Sequence, residues 1–279
     1  MYAQEASGRQ FRRTGIHNGN LVRTVYGNWG VVGQPGNKGP RGAWLHDNNG
    51  YIGDVSPMVG AEITTLDTAG NPVKFHSVVI SPANRPTSTG FEESPGGKSW
   101  SFEPRAGYFN ENQESVAMST DKTTWPPFWP DKQKDGDDPG WRGSWNGYFG
   151  KDLQNIQQES FFVMDDNNDE EFNYPQYNKW NVAFKPDSTN PARNGLGLEV
   201  KVRGMQWQQF LAQDVLFWLY EVTNTSTVDY TNVVFGMLVG TYVGVTGSDD
   251  RPQEYDDDWS FFDVENDNTY TGDYDNNVD

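Results

Sequence analysis

Cysteine is absent from this chain of 279 residues, histidine occurs 3 times, and Lys plus Arg number 21 against 39 Asp plus Glu. Each shortage excludes something. Without thiols there is no disulfide framework, no thiolate metal centre and no cysteine nucleophile. His17, His46 and His76 stand apart, with no HxH or HExxH pattern, so each reads as a surface or packing residue, not a zinc ligand. A net charge of −18 and a pI near 4.4 repel polyanions, which argues against nucleic acid and anionic membranes as partners. Long apolar runs are also missing: VVFGMLVGTYVGV (Val233 to Val245) is 13 residues, too short for a membrane-crossing helix. No GxSxG, P-loop or GxGxxG motif supports serine or nucleotide chemistry. The opening MYAQEASGRQ lacks a basic start followed by an apolar stretch, although Ala3-Gln4 would suit a mature chain after cleavage.

What the chain has instead is rings, glycine and proline. Hydrophobic residues make up 34%, yet Trp (11), Tyr (13) and Phe (16) together reach 14%, so core burial must come largely from aromatics. Gly (30) and Pro (16) cut the sequence at QPGNKGPRG, SPANRP, SPGGK and DGDDPG, leaving no room for long helices. LGLEVKVRG (Leu196 to Gly204) alternates apolar and polar residues with a strand's period of two. DVLFWLYEV (Asp214 to Val222) and VVFGMLVGTYVGV are apolar on both faces around the turn TNTSTVDYTN, which predicts two central antiparallel strands joined near Ser226. A helix over 208–220 is the rival, disfavoured by β-branched and aromatic content. GAEITTLD and VKFHSVVIS read as a hairpin across TAGNP, and 91–150 as loop-rich. The expected fold is all-β, an antiparallel β-sandwich with long Trp/Gly/Pro-rich loops. It is expected as one domain over 1–279, with a weak boundary near 130–140.

The acids are patterned. In DDNNDEE, residues Asp165, Asn167, Asp169 and Glu171 fall at every second place, a spacing with which loops wrap calcium, although the glycine and glutamate of an EF-hand are replaced by Glu170 and Gln176. A solvated turn is the alternative. From Ser248 onward 12 acids face one base, Arg251. Within this end Asp263, Glu265, Asp267 and Asp273, Asp275, Asn277, Asp279 form two runs that would, if extended, stand on one face about 6–7 Å apart, requiring a cation or solvent to screen them. Interleaved Trp259, Phe261 and Phe262 indicate ordered structure. Both sets are candidate calcium ligands. Glu159 beside Asp165 and Asp166 is the candidate carboxylate pair for glycoside chemistry. Trp125, Trp129, Trp141, Trp145 and Tyr148 form either a platform for sugar rings or a satellite core beneath a long loop.

The segments RGAWLHDNNGYIGDVSPMVGAE, GSWNGYFGKDLQNIQQESFFVMDD, DVLFWLYEVTNTSTVDYTNVVFGMLVGTYVG and EYDDDWSFFDVENDNTYTGDYD together resemble the N-terminal region of large secreted surface proteins of Bacteroidota-like bacteria, which typically end in a type IX secretion sorting domain. The resemblance implies export to the cell surface or medium, where calcium is plentiful, and a parent protein longer than this chain. It supplies no catalytic residue. The expectation is a non-catalytic extracellular structural or adhesive β-domain, self-assembling and calcium-stiffened, whose partners are other copies, other surface proteins or glycans. The alternatives are a glycan-binding module, or a carbohydrate-active hydrolase or lyase using paired carboxylates and a Trp-lined cleft.

Overall fold

A computed structural model describes residues 6–33, 39–45, 49–82, 99–133, 138–153, 155–177, 180–245 and 258–274. Strands are numbered in chain order. β1 (Thr14–His17), β2 (Val22–Gly27) and β3 (Ala43–Trp44) make a small sheet. β4 (Asn49–Leu66) and β5 (Pro72–Ile80) form the hairpin expected across TAGNP. β6 (Glu103–Pro104) lies at one edge of the largest sheet. β7 (Asn146–Gly147) and β8 (Gly150–Lys151) form a minimal hairpin. β9 (Gln158–Asp165), β10 (Leu198–Gln206) and β11 (Leu216–Asn224) complete the largest sheet in the order β11-β10-β9-β6. β12 (Val233–Val245) pairs with β4, and β13 (Asp258–Asp263) with β14 (Asn268–Asp273). Every one of these pairings is antiparallel. The fold is all-β, with sheets packed in the manner of a sandwich.

The main core follows from the alternation in β10. Leu198, Val200 and Val202 turn inward, while Glu199, Lys201 and Arg203 turn outward. Phe162 and Met164 of β9 join them against Val59, Ala61 and Ile63 of β4, Phe75 and Val79 of β5, and Tyr26 of β2. Each Val, Leu, Ile, Phe or Met among them contributes about 1.5–3 kcal/mol by leaving water. The opposite face of β9 is also covered. Phe161 and Val163 pack with Tyr108, Phe109, Ala117, Trp129 and Trp145 in a second, ring-rich cluster, so all eight residues of β9 are buried. β9 therefore lies between two cores. The second cluster draws residues from both sides of 130–140.

At Gly204 a Cβ would come within 2.4 Å of His17 Nε2. The bare glycine lets His17 of β1 sit on the large sheet, where it meets Ser160 Oγ at 2.9 Å and the rings of Tyr26 and Trp218. Burial holds this imidazole neutral down to about 3. His17 is a packing residue and His76 an exposed one beside Glu62; His46 lies outside the described residues.

The expected joining of 214–222 to 232–243 is corrected. β11 and β12 are edges of different sheets, and neither is central. Their connection does not close a hairpin, because its backbone is held elsewhere: Thr225 N–H donates to Gly197 O and Thr227 N–H to Pro186 O, each at 2.9 Å. Tyr220 of β11 and Phe235 of β12 meet with ring centroids 5.5 Å apart, their planes tilted by 42°. Both strands carry apolar residues on both faces, so periodicity carries no information about which sheet each joins. β10 also begins two residues later than its alternation suggests, because Gly195 and Gly197 take left-handed conformations (φ +64° and +73°).

Candidate functional site

The first of these glycines, Gly195, lies against a carboxylate, whereas Gly197 lies against Ser226 and Pro186. Asp166 is fully buried and accepts from Leu196 N–H at 2.7 Å and Leu198 N–H at 2.8 Å. A Cβ on Gly195 would lie within 2.7 Å of that carboxylate. The neighbouring acids are spent in the same way. Asp165 lies 3.7 Å from Arg105, Asp169 accepts from Glu171 N–H at 2.9 Å, and Glu171 accepts from Ser77 Oγ–H at 2.6 Å. Asn167 turns instead to the backbone N–H of Asn194. Burial pushes the carboxyls of Asp165, Asp169 and Glu171 upward and that of Asp166 to about 7. The turn 165–171 is not solvated, since Asp165, Asp166, Asp169 and Glu171 are buried, and its oxygens engage different protein partners. Among the described residues, no group of three or more His, Asp or Glu is arranged to hold a metal.

The acidic end is ordered over 258–274, as a hairpin with its aromatics outward. Asp263 closes the turn, accepting from Glu265 N–H at 2.9 Å and from Asn266 N–H and Nδ2. This holds its carboxyl below the usual range. Asp258 accepts from Val243 N–H at 3.1 Å, tying the hairpin to β12. Glu265 and Asp267 are exposed on the turn. Asp273 ends β14, and Asp275 lies outside the described residues.

The aromatic loop is mostly interior. Trp129 and Trp145 stand edge to face at 5.4 Å and present no face to a ligand; their indole N–H groups donate to Ser144 O and to Glu159 at 2.8 Å. Trp125 donates to Met118 O, and Trp141 lies under Lys132 Nζ at 4.7 Å. The flat five-ring platform is thus corrected to a second core, because donors and ring edges interlock beneath the loop. Tyr148, at the tip of the β7–β8 hairpin, is 53% exposed and meets exposed Phe149 edge-on at 5.1 Å.

Glu159 fixes that tip. This buried carboxylate accepts from Tyr148 N–H at 2.9 Å and Trp145 Nε1–H at 2.8 Å, and pairs with Arg203 Nη1 at 2.6 Å. Arg203 also donates to Asn146 O and lies 4.0 Å over the Phe161 ring. Glu159 and Asp165 are not a catalytic pair: six residues apart on one strand, they are separated by about 20 Å at roughly 3.3 Å per residue. Beside the hairpin lies a cavity of about 310 Å³, with Asp131, Lys132, Tyr148, Lys201, Arg203 and Glu221 in its wall. Sequence reasoning reached only Tyr148 of this set. The outward Lys201 and Arg203 of β10 in so acidic a chain were the available signal.

Compared with protein families, with curated proteins and with solved structures, the chain matches none.

Proposed function

We propose that the chain is a non-catalytic structural and adhesive β-domain of the cell surface that assembles with copies of itself through the edge of β12 that, among the described residues, pairs with no other strand. The observation that carries this is the character of that edge. β12 has 13 residues and no charged side chain or proline, whereas edge strands that stay solitary are blunted by Lys, Pro or brevity. Its side chains are apolar and exposed on both faces, Val234 at 69% and Val239 at 59%. Register shifts fall only after Gly240, leaving a regular stretch free to pair.

Charge selects the arrangement. Side-by-side parallel strands would bring two acidic hairpins together, whereas antiparallel pairing about a two-fold axis sends them to opposite ends. Placement outside the cell rests on the resemblance to secreted surface proteins. The buried carboxylates support a non-catalytic role, since each one traced above is engaged by protein donors. Light scattering at two concentrations tests the assembly. The expected result is a dimer that the double substitution Val234→Lys and Val239→Lys converts to monomer. A wild-type protein monomeric at both concentrations overturns the reading.

A further inference from the structure

The β7–β8 hairpin is held over the outer face of β10 and β11 by an arrangement that stability alone does not explain. Removing both Glu159 and Arg203 from water is expensive, and a buried ion pair is weak evidence of a stabilising role. What the pair achieves is position: it pins the backbone of Tyr148 and leaves the ring in solvent. Trp141 and Asp152, on either side of the hairpin, hold left-handed conformations at φ +46° and +56°, and Asp152 accepts from Trp145 N–H at 2.7 Å. Strain retained around an exposed ring marks a segment whose geometry matters.

The cavity under this tip carries groups that are not yet used. Lys201 and Glu221 are direct neighbours across the β10–β11 pair, yet among the described residues their side chains close no ion pair and no hydrogen bond. Lys132 contributes a second ammonium held on Trp141. Donors and acceptors therefore both line a space of about 310 Å³, at the small end of the roughly 300–1,000 Å³ of ligand sites. An apolar ligand would leave these charges desolvated and unpaired. A polyphosphate would meet Asp131 and Glu221. Hydroxyl groups satisfy both kinds of partner at once, donating to carboxylates and accepting from ammonium and guanidinium.

We propose that this cavity is a saccharide-binding site, with Tyr148 as the ring on which a sugar face stacks and Lys201, Arg203 and Glu221 as its hydrogen-bonding partners. It goes beyond self-assembly and uses a different surface from β12, so the two readings fail separately. Native gel electrophoresis through soluble hydroxyethylcellulose, xylan, glucomannan or polygalacturonate tests it, using the whole chain and its Val234→Lys/Val239→Lys variant. Retardation by at least one polymer is expected for both. Tyr148→Ala should weaken it roughly tenfold, the scale of one lost stacking contact, and Lys201→Ala should weaken it too. Phe149→Ala should leave it intact. Retardation by the neutral polymers or by polygalacturonate alone distinguishes a neutral from an acidic sugar. No retardation in any of the four overturns the proposal, as does retardation unchanged in both Tyr148→Ala and Lys201→Ala.

Discussion

Two stretches of this chain, 165–171 and 258–274, look alike as strings of acids, and they fold in opposite senses. The first turns inward. Asp166 is wrapped by the backbone of Leu196 and Leu198, and Asp165, Asp169 and Glu171 are spent on Arg105, a backbone N–H and Ser77. The second stays in water, with Asp263 capping its own turn. The difference lies in what surrounds the acids. The inner loop follows a strand buried on both faces and faces Gly195, whose missing side chain admits a carboxylate; the outer one sits on a two-stranded ribbon whose aromatics are exposed. Acid spacing reports neither calcium nor solvent until that surrounding is known.

The sharpest way to break this comparison is substitution. Asp166→Ala leaves two buried N–H groups without an acceptor, at about 1–3 kcal/mol each, so chemical denaturation should show a loss on the order of 3 kcal/mol. Glu265→Ala, on the exposed turn, should leave the midpoint unchanged. Equal effects would erase the distinction.

Acidity offers a subtler probe. The folded chain holds the Asp166 proton up to about 7, whereas an unfolded carboxyl releases it near 3.8. The folded state therefore binds the proton more tightly, and its stabilising contribution is complete below about 4 and lost as pH rises through about 7. Asp165, Asp169, Glu171 and Glu103 are shifted upward and act in the same direction. His17, neutral down to about 3 when folded, opposes them as pH falls below 6.5. The melting temperature should fall between pH 6.5 and 8, and Asp166→Asn should flatten that slope whatever its own stability. An unchanged slope in the variant would show that the interior carboxyls do not set it.

Smallest is the response to a chelator. With the interior carboxylates bonded to protein groups, EDTA should leave the melting temperature where it is. A fall would restore a bound divalent cation as part of the fold.

The sequence showed most clearly those elements in which side chains alternate. Leu198, Val200 and Val202 of β10 and the β4–β5 hairpin could be read directly, because a half-buried strand writes its two faces into a period of two. β11 and β12 could be seen as strands but not placed, since apolar residues on both faces leave no phase. The aromatic loop was recognisable as a ring cluster. Whether each ring pointed in or out was not, because that depends on Glu159, whose partners come from positions 145, 148 and 203. Asp166 was hidden for the same reason: its donors lie 30 and 32 residues away.

Finally, β9 belongs to both hydrophobic clusters, with Phe162 and Met164 in one and Phe161 and Val163 in the other. A strand shared in this way couples the ring-rich half of the molecule to the sandwich as one melting unit. Heat should produce a single calorimetric transition, and the amides of Phe161 and Phe162 should be among the last to exchange with deuterium, opening only when the whole chain does.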